Sequence, residues 1–219
     1  TLNPQTRRTG GMHYTSPENI HKLIDPLFLD DLRAEYRSIK EDAALGDNKR
    51  RSRLLEFQEK LASLTFLDPA CGSGNFLTET YLCLRRLENY VLADLMNIRG
   101  KDRTKKQFVE NQTAMDFVGA DTGDSIGVKV SIRQFYGIEI NDFAVSVAKT
   151  ALWIAELQAN VESEYVIARD IEDLPLRDSG NIVKANALRI DWNDLLPASE
   201  CDYIMGNPPF VGYKEKSSE

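Results

Sequence analysis

Histidine and cysteine are scarce in this chain: two histidines and three cysteines in 219 residues. Cys71, Cys83 and Cys201 are odd in number and widely spaced, which argues against a disulfide framework and for a reducing cytoplasm. No Cys/His cluster has the short spacing of a metal finger, so no metal is expected. No stretch reaches the ~18–20 apolar residues a membrane helix needs, so no membrane partner is expected. The start, Thr1-Leu2-Asn3-Pro4, lacks both the apolar region of a signal peptide and an initiating Met. A piece of a longer chain is the expectation. Basic excess is missing too: the formal net charge is −7, whereas a freestanding nucleic-acid binder is usually basic. That balance leaves room for the catalytic part of a nucleic-acid enzyme, because a cofactor pocket needs no basic surface. The chain is 42% hydrophobic, enough for one sizeable core.

The pattern alternates strands and helices. Ser16-Pro17 reads as a helix cap and first helical position, followed by an apolar face of Ile20, Leu23, Ile24 and Leu27. Residues 29–64 read as two helices around a polar turn at Gly46-Asp47-Asn48. Thr65-Phe66-Leu67 is a first strand, and a helix follows from Asn75 to about Met96. A polar insertion covers 97–132 and holds a β-like piece, Val128-Lys129-Val130-Ser131-Ile132. Gln134–Ile138 is a second strand, and Asp142 caps a helix through about Asn160. A loop follows over 161–181, then strands at Ile182–Ala185 and Asp202–Met205. This order predicts an α/β fold, a mainly parallel sheet with helices on both faces. Ligands of such sheets bind beyond the carboxyl ends of the strands, at the switch point of strand order.

Four segments carry chemistry. Asp68-Pro69-Ala70-Cys71-Gly72-Ser73-Gly74-Asn75-Phe76-Leu77 joins the first strand to its helix. Two glycines permit a tight turn and close approach to a ligand, and the helix start offers backbone amides. The pattern departs from the dinucleotide G-x-G-x-x-G, and the Asp68 carboxylate suits a cationic ammonium or sulfonium better than pyrophosphate. Glu139, ending the second strand, can accept from both hydroxyls of a ribose, with Ile138 and Ile140 flanking a base. Asn186-Ala187-Leu188 can bind an adenine edge and cover its ring, although a plain strand-to-loop junction explains these three residues equally well. Asn207-Pro208-Pro209-Phe210 is a stiff turn at a strand tip. It offers two rigid acceptors, the Asn207 amide and the Pro208 carbonyl, beside an aromatic ring. That set suits a planar group carrying an exocyclic amine. Tyr14 and Thr15, just before the first helix, are more than a polar tail requires. Cys71 has no histidine near it in sequence, so it is not expected to be a nucleophile.

Together these phrases resemble the S-adenosylmethionine-dependent DNA adenine-N6 methyltransferases. The likeness is greatest to the large bacterial type IIG/IIL-like restriction–modification and phage-defence enzymes that join such a domain to others. It covers residues 7–214 and rests on three phrases: Phe66–Leu77, Phe135–Asp142 and Met205–Tyr213. The order of the segments matches the gamma-type subgroup, whose target-recognition domain follows the catalytic one. The resemblance implies a Rossmann-like fold, here expected to stop after its fourth strand. A segment at 1–63 would touch the cofactor and form helices, and 64–219 would form the methyltransferase core. Asp68, Ala70, Cys71, Gly72, Gly74, Asn75 and Phe76 would hold the methionine end of S-adenosylmethionine, with Tyr14 and Thr15 near its carboxylate. Glu139 would bind the ribose; Ile140, Asn186, Ala187 and Leu188 would bind the cofactor's adenine, with Asn186 where the family often has Asp. Asn207 would adjoin both cofactor and target. Asn207 and Pro208, with Pro209 and Phe210, would clamp and stack the target base, flipped out of duplex DNA. The amine would attack the sulfonium methyl in line, so positioning carries most of the rate. The resemblance also implies a bacterial cytoplasmic enzyme that reads double-stranded DNA through the full-length protein, with a possible homodimer through the open sheet edge. Cytosine N4, a guanine amine in RNA and protein glutamine are the rival acceptors, and a non-catalytic cofactor-binding module is a rival of another kind.

Overall fold

The computed structural model describes residues 15–110, 126–168, 171 and 181–209, with side chains in the long central helix described through 99. Helix α1 (Pro17–Ile24) opens behind Ser16, whose carbonyl accepts from the N–H groups of Asn19 and Ile20 at 3.0 Å. Pro26 has no N–H to give to the preceding turn, and the chain passes through one wide turn (Asp25–Leu29) before helix α2 (Asp30–Glu41). Helix α3 (Asp47–Ser63) has Gly46 as its N-cap, so the polar turn lies at 42–46, slightly before the expected place.

Strand β1 (Phe66–Asp68) leads to helix α4 (Asn75–Glu110), strand β2 (Phe135–Glu139), helix α5 (Asp142–Ile167), strand β3 (Ile182–Lys184) and strand β4 (Tyr203–Ile204). All four strands are parallel, in the order β3-β2-β1-β4. The chain steps outward from β1 to β2 and β3, then returns to the other side of β1. The switch point therefore lies between β1 and β4.

Period-two alternation divides the strands between two cores. Phe66, Phe135 and Ile182 join α4 and α5 in the larger one, while Leu67, Ile138 and Val183 join Ile190, Trp192 and Leu196 in the smaller. The short helical turn at Trp192–Asp194 and the residues after it, Leu195 and Leu196, cover that second face, and a second short turn at Ala198–Glu200 follows. On the first face Phe66 stacks on Phe135 at 5.1 Å and on Tyr203 at 5.4 Å, one ring per strand. Phe28 and Tyr81 close this aromatic row from the helices.

Several boundaries differ from the sequence expectation. The cap of α5 is Asn141, not Asp142: its Oδ1 accepts from Phe143 and Ala144 at 3.0 and 3.2 Å. Helix α4 runs on to Glu110 and α5 to Ile167, through stretches read as insertion and loop. The piece at 128–132 is no strand. Its Lys129 and Val130 N–H groups donate to the Glu88 carboxylate instead of to a neighbouring chain.

Candidate functional site

Beyond Asp68 the chain turns sharply. Gly72 and Gly74 have φ of +55° and +83°, conformations that a side chain disfavours. Gly74 also passes so near α5 that a Cβ there would lie 3.0 Å from Ala148 Cβ. The turn is tied down from both ends: Cys71 N–H donates to the Ile138 carbonyl at 3.1 Å, and Gly74 N–H to the Cys71 carbonyl at 2.8 Å. Ala70, Cys71, Gly72, Gly74, Asn75 and Phe76 thus form one turn entering α4, with Cys71 and Phe76 buried beneath it.

Two carboxylates flank this turn. Asp68 is 1% exposed, and its Oδ1 accepts from Ala70 N–H at 2.9 Å. Burial pushes its carboxyl up to about 7; the Ala70 N–H works against that shift, and the nearby Glu139 charge adds to it. Glu139 Oε2 accepts from Gly72 N–H at 2.9 Å and its Oε1 from Asn141 N–H at 2.7 Å. The ends of β1 and β2 are therefore joined through a carboxylate that keeps lone pairs for further donors. The Cys71 thiol is pushed far upward, chiefly by burial and then by the Asp68 and Glu139 charges, which removes it as a nucleophile.

The rim is apolar and open. Ile140 is 65% exposed and Phe143 64%, while Leu188, beyond β3, is 93% exposed. Asn186 Oδ1 accepts from Leu188 N–H at 3.0 Å, which fixes the turn that presents Leu188, with Ala187 partly buried inside it.

On the other side of β1, Met205 N–H donates to the Leu67 carbonyl at 2.9 Å. The next residue, Gly206, lies directly on Asp68: a Cβ there would be 2.5 Å from Asp68 Oδ1. Asn207, Pro208 and Pro209 follow, exposed, and Asn207 Nδ2 donates to Thr15 Oγ1 at 3.4 Å. The described residues thus gather Thr15, Asp68, the glycine turn, Glu139 and Asn207 around the switch point, with Ile140 and the 186–188 turn on its β2–β3 side. Tyr14 and Phe210 lie outside the described residues. Two contributors escaped the sequence reading. Gly206 had a signal, a lone glycine at a strand end, which marks close backbone approach. Phe143 sits in the first turn of α5 with nothing to distinguish it from a core residue until its exposure is seen.

The family model of the MmeI DNA-methyltransferase domain matches residues 43–219. DNA methyltransferase A of Bacillus subtilis (strain 168) is 38% identical over 218 residues, 98% of this chain and 21% of that protein. Ribosomal RNA large subunit methyltransferase K/L of Shewanella sp. (strain W3-18-1) is 27% identical over 175 residues, 80% of this chain and 21% of that protein. The solved structure of the type IIL restriction–modification enzyme MmeI in complex with DNA superposes with a TM-score of 0.76 at 37% identity, over 99% of this chain and 25% of that one. The chain thus spans about a fifth to a quarter of the length of these relatives. By motif, fold and sequence, this chain belongs to the MmeI DNA-methyltransferase domain family.

Proposed function

We propose that this chain is the catalytic domain of a restriction–modification or defence enzyme that methylates the N6 amine of adenine in DNA, with S-adenosylmethionine as donor. One observation carries the reading most: Gly206 rests on the buried Asp68 carboxylate, so the amine clamp at 207–208 adjoins the anionic pocket. The residues fit the cofactor. Asp68 is a buried acceptor with a single N–H donor, and its ionised form, disfavoured by burial, would gain from a cationic partner. Glu139 is held for two hydroxyls, and Ile140, Phe143 and Leu188 await a flat base. The cofactor supplies a methyl group on a positively charged sulfur. The chain's part is to hold the acceptor amine. The Asn207 side-chain oxygen and the Pro208 carbonyl accept its two hydrogens and bring its lone pair out of conjugation with the ring. Asn207 Nδ2 is already turned toward Thr15, which leaves the amide oxygen for the amine. Tyr14 and Phe210 are proposed to touch the cofactor carboxylate and the flipped base.

Asn207→Ala in the full-length protein should abolish methyl transfer while S-adenosylmethionine binding, read by calorimetry, stays within about threefold, under 1 kcal/mol. Glu139→Ala should weaken that binding by at least about tenfold, near 1.4 kcal/mol. Mass spectrometry of DNA and RNA nucleosides from cells with and without the gene identifies the acceptor. N4-methylcytosine or a methylated guanine in place of N6-methyladenine would overturn the adenine assignment.

A further inference from the structure

Outside the methyl-transfer site, helices α1 and α4 bring together three potential metal ligands that the sequence scatters: His21, Glu79 and Cys83. Glu79 and Cys83 are one turn apart on α4, and His21 reaches them across 58 and 62 residues of sequence. His21 Nε2 lies 3.2 Å from Glu79 Oε1 and 3.8 Å from Cys83 Sγ, and Cys83 Sγ lies 3.8 Å from Glu79 Oε1. Around a tetrahedral zinc ion, the bond lengths to nitrogen, oxygen and sulfur place an N/O pair roughly 3.3 Å apart and a sulfur roughly 3.5 Å from either. The three donor atoms already stand close to those separations.

The surroundings complete the arrangement. Asp25, one turn beyond His21, holds its Nδ1 at 2.8 Å. With that nitrogen donating to the carboxylate, Nε2 is the atom left to face Glu79 and Cys83. A carboxylate behind a ligating imidazole is the usual outer partner in zinc sites. Arg33 Nη1 lies 3.5 Å from Asp25 Oδ1 and limits the negative charge there. Arg86 Nη1, 4.0 Å from Glu79 Oε1, is a competing cation on a half-exposed side chain. Cys83 is buried, whereas the side chains of His21 and Glu79 are 30% and 18% exposed. The cluster is thus closed on the protein side and open to one further ligand from solvent.

We propose that His21, Glu79 and Cys83 bind a zinc ion, with Asp25 orienting His21 and water at the fourth position. A nitrogen and a sulfur donor exclude magnesium and calcium, which take oxygen. The thiolate and the carboxylate balance the ion's two charges, and binding releases the thiol proton. The site's task is mechanical. It joins α1 to α4, and α1 begins one residue after the Ser16 cap that adjoins Thr15, the partner of Asn207. The ion would fix the N-terminal segment against the helix that carries the glycine turn.

The test uses the full chain, freed of metal and titrated with Co²⁺ and with Zn²⁺. Co²⁺ should produce a thiolate-to-metal charge-transfer band, displaced by Zn²⁺ at a stoichiometry of one. Cys83→Ser should abolish the band, Cys201→Ser should leave it intact, and Asp25→Asn should weaken Zn²⁺ affinity roughly 10- to 100-fold. Zn²⁺ should also raise the melting temperature of the unaltered protein. Absence of the band in the unaltered protein overturns the proposal whatever the variants do. A band that survives Cys83→Ser, or that Cys201→Ser removes, overturns it as well.

Discussion

Gly206 has no side chain, and Asp68 occupies the space one would fill. In Gly206→Ala the new Cβ would meet Asp68 Oδ1 at 2.5 Å, so either the carboxylate or β4 must shift. Overpacking of this kind costs about 1–3 kcal/mol of stability. Calorimetry with S-adenosylmethionine should show at least about a tenfold loss of affinity, although residue 206 is itself no ligand. Asp68 adds a pH dependence. With its carboxyl at about 7, only the ionised fraction attracts a cationic ligand, so affinity should rise as pH passes upward through that value. Stability runs the opposite way in the ligand-free protein. The folded pKa lies above the ordinary 3.8, so the contribution of Asp68 is full below 3.8 and is lost as pH rises through about 7. Melting curves with and without ligand across that window check both signs. The place of Asp68, at the end of a strand before a glycine turn, was legible in Asp-Pro-Ala-Cys-Gly-Ser-Gly. The role of Gly206 was not, because it depends on which strand lies beside β1.

The strands are short, two to five residues each, and the helices between them are long. The four strands were legible for that reason: an apolar run ended by Asp-Pro or Gly-Ile-Glu is too short for anything but a strand, although the similar run at 128–132 is none. Ends were not. Asn141 and Asp142 are both good caps, and only the point where β2 stops decides between them. Asn141→Ala should cost about 1 kcal/mol in chemical denaturation, as lost N-caps do, while its main-chain N–H goes on donating to Glu139. Asp142→Ala should change stability by less than about 0.5 kcal/mol. Its ion pair with Lys184, at 3.6 Å, is more than half exposed at both side chains. The far end of α5 escaped for a different reason. Its sequence there, Glu162-Ser163-Glu164-Tyr165, has no apolar stripe, yet Ser163 is fully buried. It accepts from Arg85 Nη2 at 2.8 Å and donates to Asn89 Oδ1 at 2.7 Å.

That serine belongs to a polar network that holds the molecule together away from the sheet. Arg85 Nη1 donates to Tyr81 Oη and to Asn160 Oδ1, and its Nε lies 3.5 Å from Glu88 Oε2. Glu88 in turn accepts from Gln58 Nε2 on α3 and from the backbone at Lys129 and Val130. Three helices and the chain leading into β2 therefore share two buried charges. Removing one member leaves the other charge unpaired, at a cost of about 3–5 kcal/mol. Arg85→Ala should lower the melting temperature far more than loss of any surface pair. A Glu88→Gln change in the same background should recover part of that loss, because it removes the stranded charge. Little of this was visible in the sequence: Tyr81 and Glu88 lie within a turn of Arg85, but the partners on other elements lie 30 to 78 residues away and only packing brings them together.

The ladder between β1 and β4 bears on how such a domain can diversify. The proposed donor pocket and acceptor clamp stand on adjacent strands, and the spacing between them is written in main-chain bonds such as Met205 N–H to Leu67 C=O. Side chains around the rim do not set that distance. On the proposed reading, rim residues can change while the main-chain ladder keeps the gap between donor and acceptor the same.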